Sequence, residues 1–91
     1  MPPTNYFVVI DWLDSTAATS GWSPMALALE EPPAVIRTVA ILLRKPTKDD
    51  PFWIICRDVS SRTGTCAGAM RIPSGSVLRS KEIPWPKGLE M

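Results

Sequence analysis

Residues 70–83 constrain the fold of this chain more than any other segment. The segment begins as a strand, and that strand has to end at Pro73 because proline has no backbone N–H to donate to a sheet ladder. The Ser-Gly-Ser sequence at 74–76 suits a tight turn or a single 3₁₀ turn. Residues 77–83 then mix β-branched and charged side chains, as an edge strand does. The segment therefore predicts a tight strand–turn–strand unit of the kind that closes a small β-barrel.

Four further strands are indicated upstream by β-branched and aromatic runs that lie between turn signals. They are predicted at residues 6–13, 34–44, 52–59 and 65–72. With residues 77–83 they predict a mainly β, five-stranded antiparallel barrel of SH3-like or Sm-like type, because closure would hide the exposed sheet edges. An α+β roll, with a helix on an open sheet, is the main alternative.

A short helix is predicted in the long connection after the first strand. Ser23 as the cap and Pro24 at the first helical position form a start signal. A proline pair ends the helix after about two turns. Met25 and Leu29 would share one face, with Trp22 near the start of the helix. We expect this helix to lie over one end of the barrel.

Composition limits both the domain organisation and the chemistry. The 91 residues predict one domain, with a core at about 6–83 and an extended, loosely held tail at 84–91. The N-terminus has no signal-peptide pattern, and no apolar run has the length of a membrane span, so we expect a cytoplasmic protein without membrane contact. Histidine is absent and there are two cysteines, which predicts no metal site, no cofactor and no catalytic residues.

Charge is distributed unevenly along the chain. Residues 1–43 hold four acidic residues and one arginine, a balance of −3, whereas residues 44–91 hold nine basic and five acidic residues, a balance of +4. A basic second half favours an anionic ligand. Solvated strand faces and a basic hairpin edge are the alternative explanation of the same pattern.

The two cysteines lie at equal distances from Ser61, the expected centre of a hairpin. This arrangement predicts that Cys56 and Cys66 are directly opposite each other on the core face. Two reduced thiols used as small core residues are favoured over a cross-strand disulfide, since disulfides are rare in the cytoplasm. The predicted core face comprises Phe52, Ile54, Cys56, Cys66, Gly68, Met70 and Ile72.

The opposite face of that hairpin and its tip form the candidate ligand site. An indole can stack on a base, guanidiniums can bind phosphate, and hydroxyls in a glycine-containing loop can donate hydrogen bonds. An exposed barrel face with a polar tip is the alternative. The predicted ligand-binding residues are Trp53, Arg57, Ser61, Arg62, Thr63 and Arg71.

Two aspartates near the N-terminus and a tryptophan in the tail are further candidates for a functional role. Asp11 and Asp14 are three residues apart and would point to opposite faces of a strand, which argues against a catalytic carboxylate pair. Trp85 lies between two prolines in the tail, and we expect it to dock on another subunit.

Short segments of the chain resemble a group of small phage-encoded proteins that look like SH3-like or Sm-like β-barrels. These segments are Asp11–Ser15, Gly21-Trp22, Arg37–Val39 and Ile72-Pro73. The resemblance implies a phage accessory protein in the host bacterial cytoplasm, without transferring any site residue. It supports the hypothesis of a homo-oligomeric counter-defence protein that sequesters a nucleotide second messenger. A protein-binding inhibitor of a host defence enzyme and an Sm-like RNA-binding protein are the alternatives; the net charge of +1 does not favour nucleic acid.

Overall fold

The computed structural model describes residues 6–14, 24–30 and 34–89. Within these ranges, one six-residue helix and one 3₁₀ turn accompany the strands: α1 (Met25–Glu30) and Ser74–Ser76. The strands are β1 (Tyr6–Asp14), β2 (Ala34–Arg44), β3 (Phe52–Cys56), β4 (Asp58–Ser60), β5 (Thr65–Ala67), β6 (Met70–Pro73) and β7 (Val77–Pro84).

Five strands form one antiparallel sheet in the order β6-β3-β2-β1-β7, and β4 and β5 form a separate hairpin. The mainly β prediction is confirmed. The closed barrel is not, because no ladder joins the edge strands β6 and β7 in the described part of the chain. The predicted strands at 52–59 and 65–72 are each broken in two. Gly68, at φ +69°, produces one break because this left-handed conformation interrupts an extended strand.

The open sheet is nevertheless strongly curled. Its edges β6 and β7 would lie about 19 Å apart if four steps between strands were flat. They are joined only by the Ser74–Ser76 turn, and a short 3₁₀ segment of about four steps advances only about 8 Å. The chain can bridge the edges only if the sheet bends over its core. That core contains Val8, Ile10, Leu42, Ile55 and Ile72, with Trp12, Ala40, Trp53 and Val77 packed against it.

In the predicted hairpin of residues 52–72, the predicted faces are wrong for β3 and correct for β6. Trp53 is opposite Ile72, and Ile55 is opposite Met70, so Trp53 and Ile55 face the core. Phe52 and Ile54 therefore point to the other side of the sheet. The turn is centred between residues 62 and 63, since Ser60 pairs with Thr65, and not at Ser61. The shift of three residues is odd, so the β3 side chains change face relative to those of β6: Trp53 and Ile55 move to the core side, whereas Ile72 stays there and Arg71 stays on the opposite side.

The helix and the tail also differ from the expected packing. Met25 and Leu29 are 83% and 86% exposed, so α1 does not cover the sheet through these side chains. Trp22, expected beside them, lies outside the described residues. Trp85 is only 9% exposed and stacks on Phe7, with ring centroids 5.4 Å apart. The tail is thus held at Trp85 by its own chain, and the predicted docking of this indole on another subunit is not supported.

Candidate anion-binding face

The outer face is the side of the five-stranded sheet that points away from the core. Its side chains form cross-strand rows because directly opposite residues lie on the same side of a sheet. The rows are Arg79–Asp11–Arg37, Lys81–Val9–Val39, Ile83–Phe7–Ile41 and Arg44–Ile54–Arg71.

The first row is a carboxylate between two guanidiniums. Asp11 Oδ1 accepts from Arg37 Nε at 2.7 Å, and Oδ2 accepts from Arg37 Nη2 at 2.9 Å. Arg79 Nε donates to the same Oδ2 at 2.5 Å. Asp11 is 3% exposed, whereas Arg37 and Arg79 are 65% and 71% exposed. The carboxylate therefore lies beneath two cations that still face solvent.

This arrangement determines the ionisation of the group. Hydrogen bonds from Arg37, and then from Arg79, hold the pKa of Asp11 well below its usual range against the opposing effect of desolvation. The same bonds raise the pKa of Arg37. Asp11 is therefore an ionised acceptor that orients two arginines, because a carboxylate with so low a pKa has no proton to donate near neutral pH.

A second carboxylate is bracketed in the same way. Asp50 lies in the β2–β3 turn. Its Oδ2 accepts a hydrogen bond from Arg44 Nη2, and its Oδ1 accepts one from Arg71 Nη2 at 2.6 Å. The Arg71 guanidinium also lies 4.9 Å from the centroid of the Phe52 ring. Asp50 therefore fixes two guanidiniums in one row of the outer face, as Asp11 does in another.

The outer face carries a net positive charge. Arg37, Arg44, Arg71, Arg79 and Lys81 contribute five positive charges, and Asp11 and Asp50 contribute two negative charges, which leaves +3. An arginine side chain has five N–H donors. Arg37 donates two of them to Asp11, and Arg79 donates one. Both side chains thus carry further donors at an exposed, preoriented position.

The structure separates the residues predicted to bind ligand. Trp53 packs against the core, whereas Arg71 lies on the outer face and bonds Asp50. Arg57 Nε donates to Asp58 at 2.6 Å. These three side chains therefore do not form the stacking and phosphate-binding patch that was expected.

The remaining predicted residues are at the tip of the β4–β5 hairpin. Ser61, Arg62 and Thr63 are all exposed there, and Thr63 shares a 2.7 Å hydroxyl hydrogen bond with Thr65. Gly64 has φ +65°, the positive φ expected of a glycine in this turn. The tip is an exposed loop with one guanidinium, separate from the two rows that Asp11 and Asp50 organise.

Sequence reasoning missed Arg37 and Arg79. One signal was present: Asp11 and Arg37 are each the only charge in the interior of an apolar, β-branched strand, and their charges are opposite. A charge in such a strand needs a partner if its carboxylate or guanidinium is to be partly buried. No comparable signal marks Arg79, whose strand contains several charges.

The cysteines are free thiols in different environments. Cys56 is buried, and Cys66 is exposed and lies opposite Val59, so the predicted direct pairing of the two cysteines is wrong. Burial is the largest cause that raises the pKa of the Cys56 thiol, and the nearby Cys66 and Asp58 raise this pKa further. Cys56 is therefore buried, as expected, but on the side of the sheet that carries Ile41, whereas Cys66 is not buried.

Iodoacetamide at mildly alkaline pH is expected to alkylate Cys66 at least about tenfold faster than Cys56, because the thiolate is the reactive species and Cys56 is both buried and harder to ionise. Peptide mass spectrometry at timed intervals measures both rates. The denatured chain, in which the rates should converge, is the control. Equal rates in the folded protein would contradict the assignment.

Comparisons with protein-family models, curated proteins and solved structures found no match.

The described residues contain no group of three metal-ligating side chains. Within the same ranges, no helix has the length and apolar character needed to cross a membrane.

Proposed function

We propose that this chain is a non-enzymatic binding protein for a phosphate-bearing, nucleotide-like anion, and that the anion lies on the outer face against Arg37 and Arg79. The observation that carries this proposal is the bracketing of buried Asp11 by two exposed guanidiniums. A positively charged sheet face that lacks histidine favours binding over acid–base catalysis.

Preorientation is the physical argument for this site. A free arginine loses side-chain entropy when it binds an anion, but Asp11 has already restricted both side chains. Both guanidiniums bond the same carboxylate, so one phosphate can contact donors from each. Lys81 lies in the adjoining row and adds a further positive charge. Asp11 lowers the local charge by one, which leaves a site that suits a single phosphate group.

Isothermal titration calorimetry with cyclic di-GMP and ADP-ribose tests the proposal. Arg79→Gln is expected to weaken binding about tenfold, because it removes one charged contact while Arg37 keeps its two bonds to Asp11. Affinity should also fall when salt is raised from about 50 to 200 mM, since exposed charges are screened. Guanosine, which has no phosphate, should give no heat.

Arg62→Gln is the matched control, because Arg62 is an exposed arginine at the hairpin tip. It should leave the affinity unchanged within about twofold if the ligand lies on the outer face. A larger loss with Arg62→Gln than with Arg79→Gln would assign the ligand to the hairpin. Absence of heat with both phosphate ligands would reject the function.

The phage origin, the host cytoplasm and the counter-defence role remain predictions from the sequence resemblance. The outer face supports only the chemical part of that hypothesis, an anionic ligand. If cyclic di-GMP binds, a role in sequestering a nucleotide second messenger follows as the next step to test.

A further inference from the structure

The first half of β2 has an open hydrogen-bonding edge. β2 pairs with β1 from Ala34 to Ile41, but it pairs with β3 only at Ile41, Leu42 and Arg44. On the β3 side, residues 34–40 therefore have no strand partner within the described part of the chain. An unpaired strand of this length is a site where another strand can add.

The sequence of this edge does not oppose strand addition. Residues 34–40 read Ala-Val-Ile-Arg-Thr-Val-Ala, with high β propensity and one charge. That charge, Arg37, is already bonded to Asp11. Val35 and Val39, on either side of it, are 57% and 68% exposed. Natural edges are usually guarded by charges, and this one is not.

The edge strand β7 provides a contrast within the same sheet. In a two-fold antiparallel pair, residues that face each other must come from the same side of the sheet. The central registers of β7 with a second β7 would place Arg79 opposite Lys81, Lys81 opposite itself or Glu82 opposite itself. Like charges directly opposite each other are destabilising, so β7 is guarded against self-pairing.

Of the registers of β2 with a second β2 that are centred on Ile36, Arg37 or Thr38, one satisfies both charge and space. Centring on Arg37 would place two arginines opposite each other. Centring on Thr38 would place Val35 of the second copy beside Ile41, a position that Cys56 already occupies. Centring on Ile36 avoids both conflicts. It makes a five-residue ladder, with Ile36 opposite its own copy and Val35 opposite Arg37 of the second copy.

We propose that this open edge is a homodimer interface, in which β2 of two copies pairs antiparallel about Ile36. The occupant is a second copy because the edge is self-complementary: apolar side chains meet at the axis and no like charges are directly opposite. Val35 and Arg37 contact each other twice across the interface by symmetry. A five-residue ladder is small, so the dimer is a weak, concentration-dependent one. This inference does not depend on the anion site.

Charge placed at Val35 tests the pairing in opposite directions. Val35→Glu introduces a partner for Arg37 of the second copy and is expected to tighten the dimer about fivefold. Val35→Lys introduces a like charge and is expected to weaken it about tenfold, because each substitution acts twice in the symmetric pair. Sedimentation velocity of the full chain without ligand, from about 1 to 500 µM, measures both shifts.

Val39→Glu and Val39→Lys are the matched controls. Val39 is also exposed on the same strand and face, but it lies beyond the proposed ladder. These variants should change dimerisation less than about twofold, since Val39 would be about 13 Å along the strand from the arginine of the second copy. A wild-type chain that is monomeric at every concentration would overturn the proposal. So would Val35 variants that shift the equilibrium in the same direction, or Val39 variants that reproduce their effects.

Discussion

Replacing Asp11 with asparagine is expected to lower the melting temperature by about 5–10 °C at neutral pH. Asparagine has nearly the same shape but no charge, so the charge-assisted bonds from Arg37 and Arg79 become weaker. The two guanidiniums, which bond one carboxylate, would then repel each other without a compensating charge. The solvent exposure of both arginines limits the loss, because water screens the pair.

Thermal unfolding followed by circular dichroism measures this change. Asp49→Asn is the matched control, because Asp49 is an exposed carboxylate in the β2–β3 turn. It should change the melting temperature by no more than about 2 °C. An Asp11→Asn protein as stable as the Asp49→Asn protein would show that the Arg79–Asp11–Arg37 row contributes nothing measurable.

Acid should remove the stabilisation that the ionised Asp11 carboxylate gives to the folded protein. The pKa of Asp11 is depressed in the folded protein, so unfolding raises it towards the ordinary value of about 3.9. The stabilisation is therefore fully present above about pH 4–5 and is lost as the pH falls towards the lower native value. The difference in urea midpoint between wild type and Asp11→Asn should be constant from about pH 7 to 5 and smaller at about pH 3. A difference that increases with acid would contradict the depressed pKa.

Local chemistry was sufficient to predict the unit that joins the two sheet edges. β6 ends at Pro73, a 3₁₀ turn covers Ser74–Ser76 and β7 begins at Val77. Each boundary follows from one residue or tripeptide: proline lacks a donor, and the small residues permit a tight turn. No long-range information was needed for these residues.

The direction of the side chains in β3 could not be predicted in the same way. Residues 52–56 are apolar on both parities, so hydrophobic alternation does not distinguish the two faces of β3. The faces then depend on the turn, whose centre lies between residues 62 and 63. Displacing this centre by one and a half residues moved Trp53 from a proposed ligand face into the core. A single register error therefore removed the stacking residue from the predicted site.

The charged rows depend on contacts between distant segments. Arg37 is 26 residues from Asp11, and Arg79 is 68 residues from it. Their meeting requires the β1–β2 and β1–β7 registers together, which one sequence does not determine. The partners of Asp11 lie across the sheet, on β2 and β7, because a strand residue contacts the residues opposite it.

Trp85→Ala is expected to be the most destabilising of these substitutions, at about 3 kcal/mol or about 10–20 °C in melting temperature. Trp85 follows β7 directly and covers Phe7 on the outer face, so its removal leaves both an exposed ring and an unanchored strand end. A small domain has little stability in reserve, and this loss would be a large fraction of the total.

Trp85→Phe separates the contribution of the stacked ring from that of the indole N–H. Trp85 Nε1 is buried and has no hydrogen-bond partner among the described residues. Phenylalanine keeps an aromatic contact with Phe7 and eliminates this unpaired donor, so it should cost less than about half of the alanine loss. Chemical denaturation of both variants measures the two free energies. If Trp85→Ala melted like wild type, the tail would be the loosely held segment that its proline-flanked sequence indicates, and the contact between Trp85 and Phe7 would not stabilise the end of β7.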